Sequence, residues 1–478
     1  MSAPASASRP RSSALIFVFF ACLYILSIGR GFYTSDGEVM FKTMAALVTR
    51  QTFALAPDPG LPQIVPGQDQ RFFSKYDPGL PLIAVPFYEI GDRIGQINHA
   101  HRYHLSATLV LLVPALAAAG TLFALAQIAY GLLSRSPRVE RRSRSEVKWI
   151  VLAAGLASPL WMYARVLFAE AVLACALTAA VAIVFLPPPE ESPRPLRLRD
   201  SPFRFFGAGL IVGVGVLTRA AFAIYLPALI WLIWRRSTAH DRLPRLAAFG
   251  IGLFPFAAGV LWHNALRFGD PFQFGYAGES FSTPPWEGIP GLLISPGKGV
   301  FSYAPPLILS VILWPRFRRA YPALGGFLAL AWITALPFYG MWWAWDGGWS
   351  WGPRFVVPLI PLSCLPLTML PQERAWRGIA AALIVCGIVI QAAAVLTDLT
   401  PHYAALTDTP APYYDLRLMP QVVAVRRVLN GRTEPLAMFH LDRTGLPPTW
   451  YLGVPLILIA GLIVSSRALI LPSRRISR

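Results

Sequence analysis

In FYTSDGEVMF, residues 32–41, two carboxylates, Asp36 and Glu38, are separated only by Gly37. A carboxylate of this kind can take the proton of an attacking hydroxyl and can steady a positive, oxocarbenium-like sugar carbon. A third acid, Glu170, closes SPLWMYARVLFAE, residues 158–170. The matching cations are Lys75 in FFSKYDPGLP (72–81), Arg219 after Thr218, Lys298 in SPGKG (295–299) and Arg354 at the end of WWAWDGGWSWGPR (342–354). Such cations can hold a phosphate and stabilise the negative charge that develops as it leaves. Tyr76, Glu279, Trp345 and Asp346 are the candidates for contact with the rest of a substrate. Glycines in SPGKG and DGG let backbone amides approach an anion, although the G-x-x-x-x-G-K-S/T spacing of a P-loop is absent. Five tryptophans fall within residues 342–351. They suit either a platform for a sugar or the aromatic belt of a membrane interface. Taken together, these residue types suit transfer from a phosphate-bearing lipid to a hydroxyl.

The elements that position them are membrane helices. Over 478 residues the chain is 55% hydrophobic and 14% charged, with a mean hydropathy of +0.51. That excludes an ordinary soluble domain. The net charge of +18 does not indicate nucleic acid, because the basic residues fall in short clusters between apolar runs, as cytosolic loops do. The first run, 14–28, follows Arg9 and Arg11. No small-residue cleavage site follows it, since Phe32 and Tyr33 are bulky, so it reads as an uncleaved first membrane helix. With the N-terminus cytosolic, Asp36 and Glu38 emerge on the opposite face in a first loop of residues 30–103. Within that loop, 39–47 predicts a short interfacial helix, and 80–90 is too short to span.

The densest basic cluster, Arg135, Arg138, Arg141, Arg142, Arg144 and Lys148, marks the next cytosolic loop, and Arg194, Arg197, Arg199 and Arg204 mark another. Between them a third helix runs outward from about residue 149, and a fourth returns from Glu170. Residues 205–234 have basic clusters at both ends and Arg219 in the middle, which predicts a hairpin of two short helices. Each arm of about 13 to 16 residues rises roughly 20 to 24 Å at about 1.5 Å per residue. Arg219 then sits at the tip, where an arginine either meets an anion or snorkels to the headgroups. Alternation continues through 246–265, 303–314, 323–338, 356–370, 379–396 and 451–470, the last ending at Arg474, Arg475 and Arg478. The expectation is about twelve helices with both termini cytosolic in the plasma (inner) membrane. The expected organisation is a transmembrane module over 1–396, an extracytoplasmic loop or small cap over 397–449, and a last helix with a cytosolic tail over 450–478.

This alternation uses only apolar runs and basic clusters, yet it delivers all the polar stretches quoted above to one face. Convergence of that kind predicts an extracytoplasmic site at the membrane surface. Taken alone, an acidic pair leaving a membrane helix reads as a solvated loop; the arrival of the cations on the same side reverses that. The spacing of His99, His101 and His104 resembles no familiar ligand set. Cys22, Cys175, Cys364 and Cys386 lie inside apolar runs with no C-x-x-C pair, so they read as packing residues.

The order of Asp36-Gly37-Glu38 after the first helix, KYDPGLP (75–81), LFAE (167–170), LTR (217–219) and 345–354 resembles the GT-C polyprenyl-phosphate-dependent glycosyltransferases. The similarity is to bacterial membrane enzymes related to protein O-mannosyltransferases and to the aminoarabinose transferase of lipid A. The resemblance implies an all-α polytopic GT-C fold and an inverting transfer of a sugar from a polyprenyl phosphate to an acceptor hydroxyl. It maps the catalytic base onto Asp36, a second acid onto Glu170 and the phosphate lysine onto Lys75. The family commonly carries two adjacent acids; here Gly37 separates them, which leaves the division of labour between Asp36 and Glu38 open. Some GT-C enzymes use a divalent metal near the acids and others do not, so metal is left open too. The sugar is not specified, and the acceptor is a protein, a lipid or a glycan. The rival readings are a transporter or flippase of polyprenyl-linked lipids, and a non-catalytic scaffold. Acids crowded at one face favour the enzyme, since a carrier also places polar groups near the midplane.

Overall fold

In a bilayer each backbone N–H and C=O must be satisfied within the protein, so long apolar runs fold as helices. The computed structural model describes residues 8–134, 146–186, 202–406, 412–434 and 436–470. Arg135, Arg138, Arg141, Arg142, Arg144, Arg194, Arg197, Arg199, Arg474, Arg475 and Arg478, which carried the topological expectation, lie outside the described residues.

The first half runs through α1 (Ser8–Leu26), α2 (Ser35–Arg50), α3 (Gly79–Ile97), α4 (Arg102–Val110), α5 (Leu112–Ser134), α6 (Val147–Gly155), α7 (Leu160–Tyr163), α8 (Glu170–Phe185), α9 (Pro202–Thr218), α10 (Leu226–Arg236) and α11 (Arg242–Phe268). The second half adds α12 (Pro285–Ile294), α13 (Val300–Tyr303), α14 (Leu307–Ala320), α15 (Pro322–Gly340), α16 (Ile360–Ser363), α17 (Arg374–Val395), α18 (Thr400–Leu406), α19 (Pro420–Leu429), α20 (Pro448–Ser465) and α21 (Arg467–Ile470). Between α2 and α3 lies a small antiparallel sheet of β1 (Ala54–Leu55), β2 (Ile64–Pro66) and β3 (Phe72–Ser74), ordered β1-β3-β2, with Ala54 opposite Phe73 and Ile64 opposite Ser74. Its strand β3 delivers the chain to Lys75.

Among the described residues, five helices are long and apolar enough to cross a membrane: Arg102–Leu133, Arg242–Phe268, Pro322–Gly340, Arg374–Val395 and Pro448–Ser465. Four shorter apolar segments accompany them, Ser12–Leu26, Glu170–Phe185, Pro202–Thr218 and Arg354–Met369. The protein is an all-α polytopic membrane protein. In the core α1 packs on α5 and α20, α5 on α8, and α9 on both α8 and α11. The α9–α11 crossing is close enough to require glycine: a Cβ on Gly209 would stand 2.1 Å from the Phe249 carbonyl oxygen, and one on Gly252 would stand 2.3 Å from that of Phe206.

Three local expectations are modified. The helix expected from residue 149 is only Val147–Gly155, about 14 Å at the helical rise, followed by a turn at Pro159 and the short α7. That irregular path carries Arg165 into the interior. The run 356–370 is two 3₁₀ segments around α16, because Pro358, Pro361 and Pro366 each remove a backbone donor. Cys386 is exposed on α17, so it is not a packing residue.

The 205–234 hairpin is present as α9, a 3₁₀ turn over Ala220–Tyr225, and α10, with Arg219 at the junction. The interfacial helix expected over 39–47 extends over the whole of α2. Residues of the late loop fold back onto the same end of the bundle. The Ala437 N–H reaches the Ile28 carbonyl at 2.9 Å, and the His101 N–H reaches the Thr444 carbonyl at 2.8 Å.

Candidate active site

Asp36 stands in the first turn of α2, where Thr34 caps the helix by accepting the Gly37 N–H on its hydroxyl. The cap and helix N-terminus favour negative charge at this place. Asp36 is 8% exposed, and its Oδ2 lies 2.7 Å from Nη2 of Arg354. The same guanidinium reaches across to Glu170, with Nε 2.8 Å from Oε1. Glu170 Oε1 also accepts from Arg219 Nη1 at 2.9 Å. One arginine therefore spans two carboxylates, and one of those carboxylates collects two arginines. Glu170 is fully buried, and its second oxygen, Oε2, has no hydrogen-bond partner among the described residues. Arg354 stacks 4.0 Å from the Phe168 ring centroid and Arg219 4.9 Å from that of Phe355, which holds both planes in place.

Lys75 comes from the loop after β3. Its Nζ pairs with Glu279 Oε1 at 2.8 Å, and the other oxygen of Glu279 accepts the Trp343 indole N–H at 2.9 Å. The loop is shaped from below by Arg267 of α11, whose Nη1 donates to the carbonyls of Ser74 at 2.6 Å and Tyr76 at 3.1 Å. Asp77 accepts the Ala220 N–H at 2.7 Å, tying the Lys75 loop to the hairpin tip that carries Arg219. The approach depends on Gly79, where a Cβ would stand 2.4 Å from the Thr218 nitrogen. Tyr76 places its hydroxyl against Asp36. Burial works against the charge on Asp36, but the Arg354 guanidinium, helped by Tyr76 and Lys75, outweighs it and holds the carboxyl below its ordinary 3.8.

These side chains surround a cavity of about 650 Å³. Asp36, Glu38, Lys75, Tyr76, Arg219, Glu279 and Arg354 all line it. Among the described residues, the Glu38 carboxylate meets the Tyr103 hydroxyl at 3.3 Å. Beside this cavity, and sharing Arg219, Tyr276, Glu279, Trp342 and Phe355 with it, lies an apolar groove of about 420 Å³ walled by Ile224, Phe274, Phe281, Phe338 and Tyr339.

Four of the sequence candidates lie outside the cavity lining: Glu170, which stands behind it against Arg354 and Arg219, and Lys298, Trp345 and Asp346. Lys298 is fully buried outside the cavity lining, with Nζ donating to the carbonyls of Gly348 and Ser350 at 2.8 Å each. Trp345 is 7% exposed and packs against Gly291 and Tyr413. Asp346 accepts the Tyr413 hydroxyl. The tryptophans that do face the cavity are Trp342, Trp343 and Trp349, the last two about half exposed. Residues that the sequence did not single out include Tyr33, Phe168, Tyr276 and Thr400, which line the cavity, and the buried Arg165 with its partner Glu434.

The acids do not fit a divalent cation. Asp36 and Glu170 each give an oxygen to Arg354, so a guanidinium occupies the place between them. Among the described residues no three His, Cys, Asp or Glu side chains gather as a ligand set. His101 and His104 meet edge to face with ring centroids 6.0 Å apart.

No protein-family model and no curated protein matches the chain. The fold is that of a polytopic membrane protein and is GT-C-like. Among solved structures it is similar to ArnT from Cupriavidus metallidurans in the apo state, with 16% identity, a TM-score of 0.50, and coverage of 97% of this chain and 76% of that one. The undecaprenyl phosphate-bound structure of the same ArnT aligns at 16% identity with a TM-score of 0.46, over 98% of this chain and 77% of that one.

Proposed function

We propose that this protein is a membrane glycosyltransferase that moves a sugar from a polyprenyl-phosphate donor to an acceptor hydroxyl, with inversion, on the extracytoplasmic side of the plasma (inner) membrane. The observation that carries the reading is Arg354, which lines a cavity with Asp36, Lys75 and Arg219, bridges Asp36 to the buried Glu170 behind the wall, and stands where the cavity adjoins an apolar groove. The groove suits a prenyl chain and the cations suit the phosphate at its end. A base on one side of the anomeric carbon and a phosphate-holding cluster on the other is what a single displacement needs.

In this reading the acceptor oxygen attacks the anomeric carbon while its proton passes to Asp36. The bond from that carbon to the phosphate oxygen breaks, and polyprenyl phosphate leaves with the electron pair. Before the donor arrives, Arg354 keeps Asp36 ionised and therefore a weak base. A donor phosphate that takes a share of the guanidinium raises the proton affinity of Asp36, so the base strengthens only when the site is loaded. Glu170, held by both arginines, keeps Arg354 and Arg219 aimed at the cavity. No nucleotide sugar and no nucleic acid is required.

The test is Asp36→Asn in purified membranes supplied with a radiolabelled polyprenyl-phosphate sugar. Donor binding is expected to survive, while transfer falls by about 10²- to 10⁴-fold, the usual worth of a general base. Unchanged transfer would remove Asp36 from the chemistry. Sidedness is tested with the native cysteines replaced and an impermeant thiol reagent: cysteines introduced at the exposed Arg71 and Arg316 should label from opposite faces.

A further inference from the structure

Lys298 has the chemistry of a ligand-binding cation but not the position of one. Its ammonium donates to the carbonyls of Gly348 and Ser350 at 2.8 Å each and to Ser350 Oγ at 3.4 Å. Both carbonyls belong to the glycine turn that carries Gly347, Gly348 and Trp349 into the cavity wall and continues to Arg354. Gly347 and Gly348 have φ of 73° and 63°, and a Cβ on Gly347 would stand 3.0 Å from that of Arg354, so the turn is folded back directly onto the arginine. On its other side the ammonium stands 5.4 Å from the ring centroids of both Tyr403 and Tyr413, which belong to the late loop. That loop is tied in further where the Tyr413 carbonyl accepts the Gly297 N–H at 2.8 Å and where Gln421 donates to the Pro296 carbonyl at 3.0 Å.

We propose that Lys298 is a positioning residue whose ammonium locks the cavity wall at 347–350, and through it Arg354, to Tyr403 and Tyr413 of the late loop. The charged form is required. An ammonium has three donors for the three oxygens around it, and its charge is what the two ring faces attract. The charged and titratable groups around it are Asp346 and Arg354 of the loop, Tyr403 and Tyr413 of the late segment, and Tyr303 of α13, whose hydroxyl is spent on the Gly297 carbonyl at 2.7 Å. Burial pushes Lys298 down from 10.5 to about 8, against the pull of Asp346 and with Arg354 adding to the fall. Burial also pushes both tyrosines up, so they stay neutral as the lysine titrates.

The sign of this shift separates positioning from stability. The folded protein binds this proton more weakly than the unfolded chain does. The group's contribution to stability therefore rises with pH between about 8 and 10.5, and below 8 its charge is a net cost. Replacing this buried charge by an apolar side chain of similar length removes that cost, which offsets the two carbonyls it leaves unpaired, so the unfolding temperature is not expected to fall appreciably.

Hydrogen–deuterium exchange on the full-length protein in detergent at neutral pH, with thermal unfolding in parallel, tests this in wild type, Lys298→Met and Lys298→Arg. In Lys298→Met, peptides covering 343–353 and 412–421 should exchange about tenfold faster, as loss of charged hydrogen bonds implies, with Tm unchanged or higher. Unchanged exchange in those peptides overturns the proposal, as does faster exchange spread through the whole bundle with a lowered Tm. Lys298→Arg should stay close to wild type. If that variant does not fold, tryptophan emission of the wild type should titrate near pH 8 and that of Lys298→Met should not. A rate arm rests on the transfer reading above: wild-type transfer falls as pH rises through 8, and Lys298→Arg moves that limb upward. The exchange arm does not depend on transfer, so local loosening in a protein that transfers nothing would overturn the enzyme reading and leave the role of Lys298 standing.

Discussion

Arg354 Nη2 lies 2.7 Å from Asp36 Oδ2, while Nε of the same guanidinium lies 2.8 Å from Glu170 Oε1. The contact joins the first loop of the chain to the tryptophan-rich turn more than three hundred residues later, and it decides the charge state of the acid proposed as the base.

Removing that guanidinium reverses the balance at Asp36. In the wild type the carboxyl is held below 3.8, so its ionisation contributes stability above that pH and the contribution is lost as pH falls through the lowered folded value. In Arg354→Gln burial is left largely unopposed and the folded value rises. The acid limb of the transfer rate is expected to move to higher pH, with a loss of about 10²- to 10³-fold at neutral pH. Arg354→Lys should recover only part of the rate, because a point charge cannot reach both carboxylates as the planar fork does. A pH–rate profile of the three proteins checks this, and an acid limb that stays in place would separate Asp36 from Arg354.

Asp36 and Glu38 are expected to differ in the kind of effect they have. Asp36 is buried against a guanidinium, whereas Glu38 lines the cavity and accepts the Tyr103 hydroxyl at 3.3 Å. Glu38→Gln should raise KM for the acceptor by about tenfold or less and leave kcat nearly intact, the pattern of lost uniform binding. A kcat loss as large as that of Asp36→Asn would make Glu38 the base instead.

Lys75 is predicted to act on donor binding. Its ammonium is shared with Glu279 at 2.8 Å and lies over Tyr276 at 5.3 Å. Lys75→Ala should raise the donor Kd by about 10- to 100-fold, the worth of a charged hydrogen bond to phosphate. Glu279→Gln releases the lysine from its partner and should tighten donor binding. Equilibrium binding of a labelled polyprenyl phosphate in detergent measures both, and equal weakening in the two variants would mean that the pair acts as one structural unit.

The acids and cations around the cavity were legible in the sequence because a charge beside an apolar segment is costly, and so few are present that their sidedness is informative. The all-α membrane fold was legible for the related reason that nothing else satisfies the backbone of such apolar runs. The orientation of residues inside the glycine-rich loops was not legible. Gly347, Gly348 and Gly352 take φ of 73°, 63° and 64°, and along this twisted loop Trp343 and Trp349 line the cavity while Trp345 and Asp346 do not. No periodicity records such turns. Arg165 was hidden for another reason: its segment follows a helix broken at Pro159, and its partner Glu434 arrives from a loop some 270 residues later, with no spacing to connect them.

That late contact gives the last prediction. Tyr33 holds a left-handed backbone, φ 57°, immediately before the cap of the helix that carries Asp36. Such a conformation costs about 1–2 kcal/mol for a residue with a Cβ and persists only when its surroundings hold it. Here the hydroxyl donates to Glu434 Oε1 at 2.5 Å, accepts the Arg30 N–H at 2.9 Å and Arg165 Nη2 at 3.3 Å, and the Arg165 guanidinium lies 5.1 Å from the ring centroid. The late loop is thereby fastened to the start of α2, and Tyr33 and Thr34 both line the cavity. Tyr33→Phe and Glu434→Gln should each lower the unfolding temperature. The double variant should lose less than the sum, with a coupling of about 0.5–3 kcal/mol. Thermal unfolding of the four proteins yields that coupling directly. Strict additivity would mean that the hydroxyl and the carboxylate hold their places independently, and the late loop would then have no part in setting the geometry of Asp36.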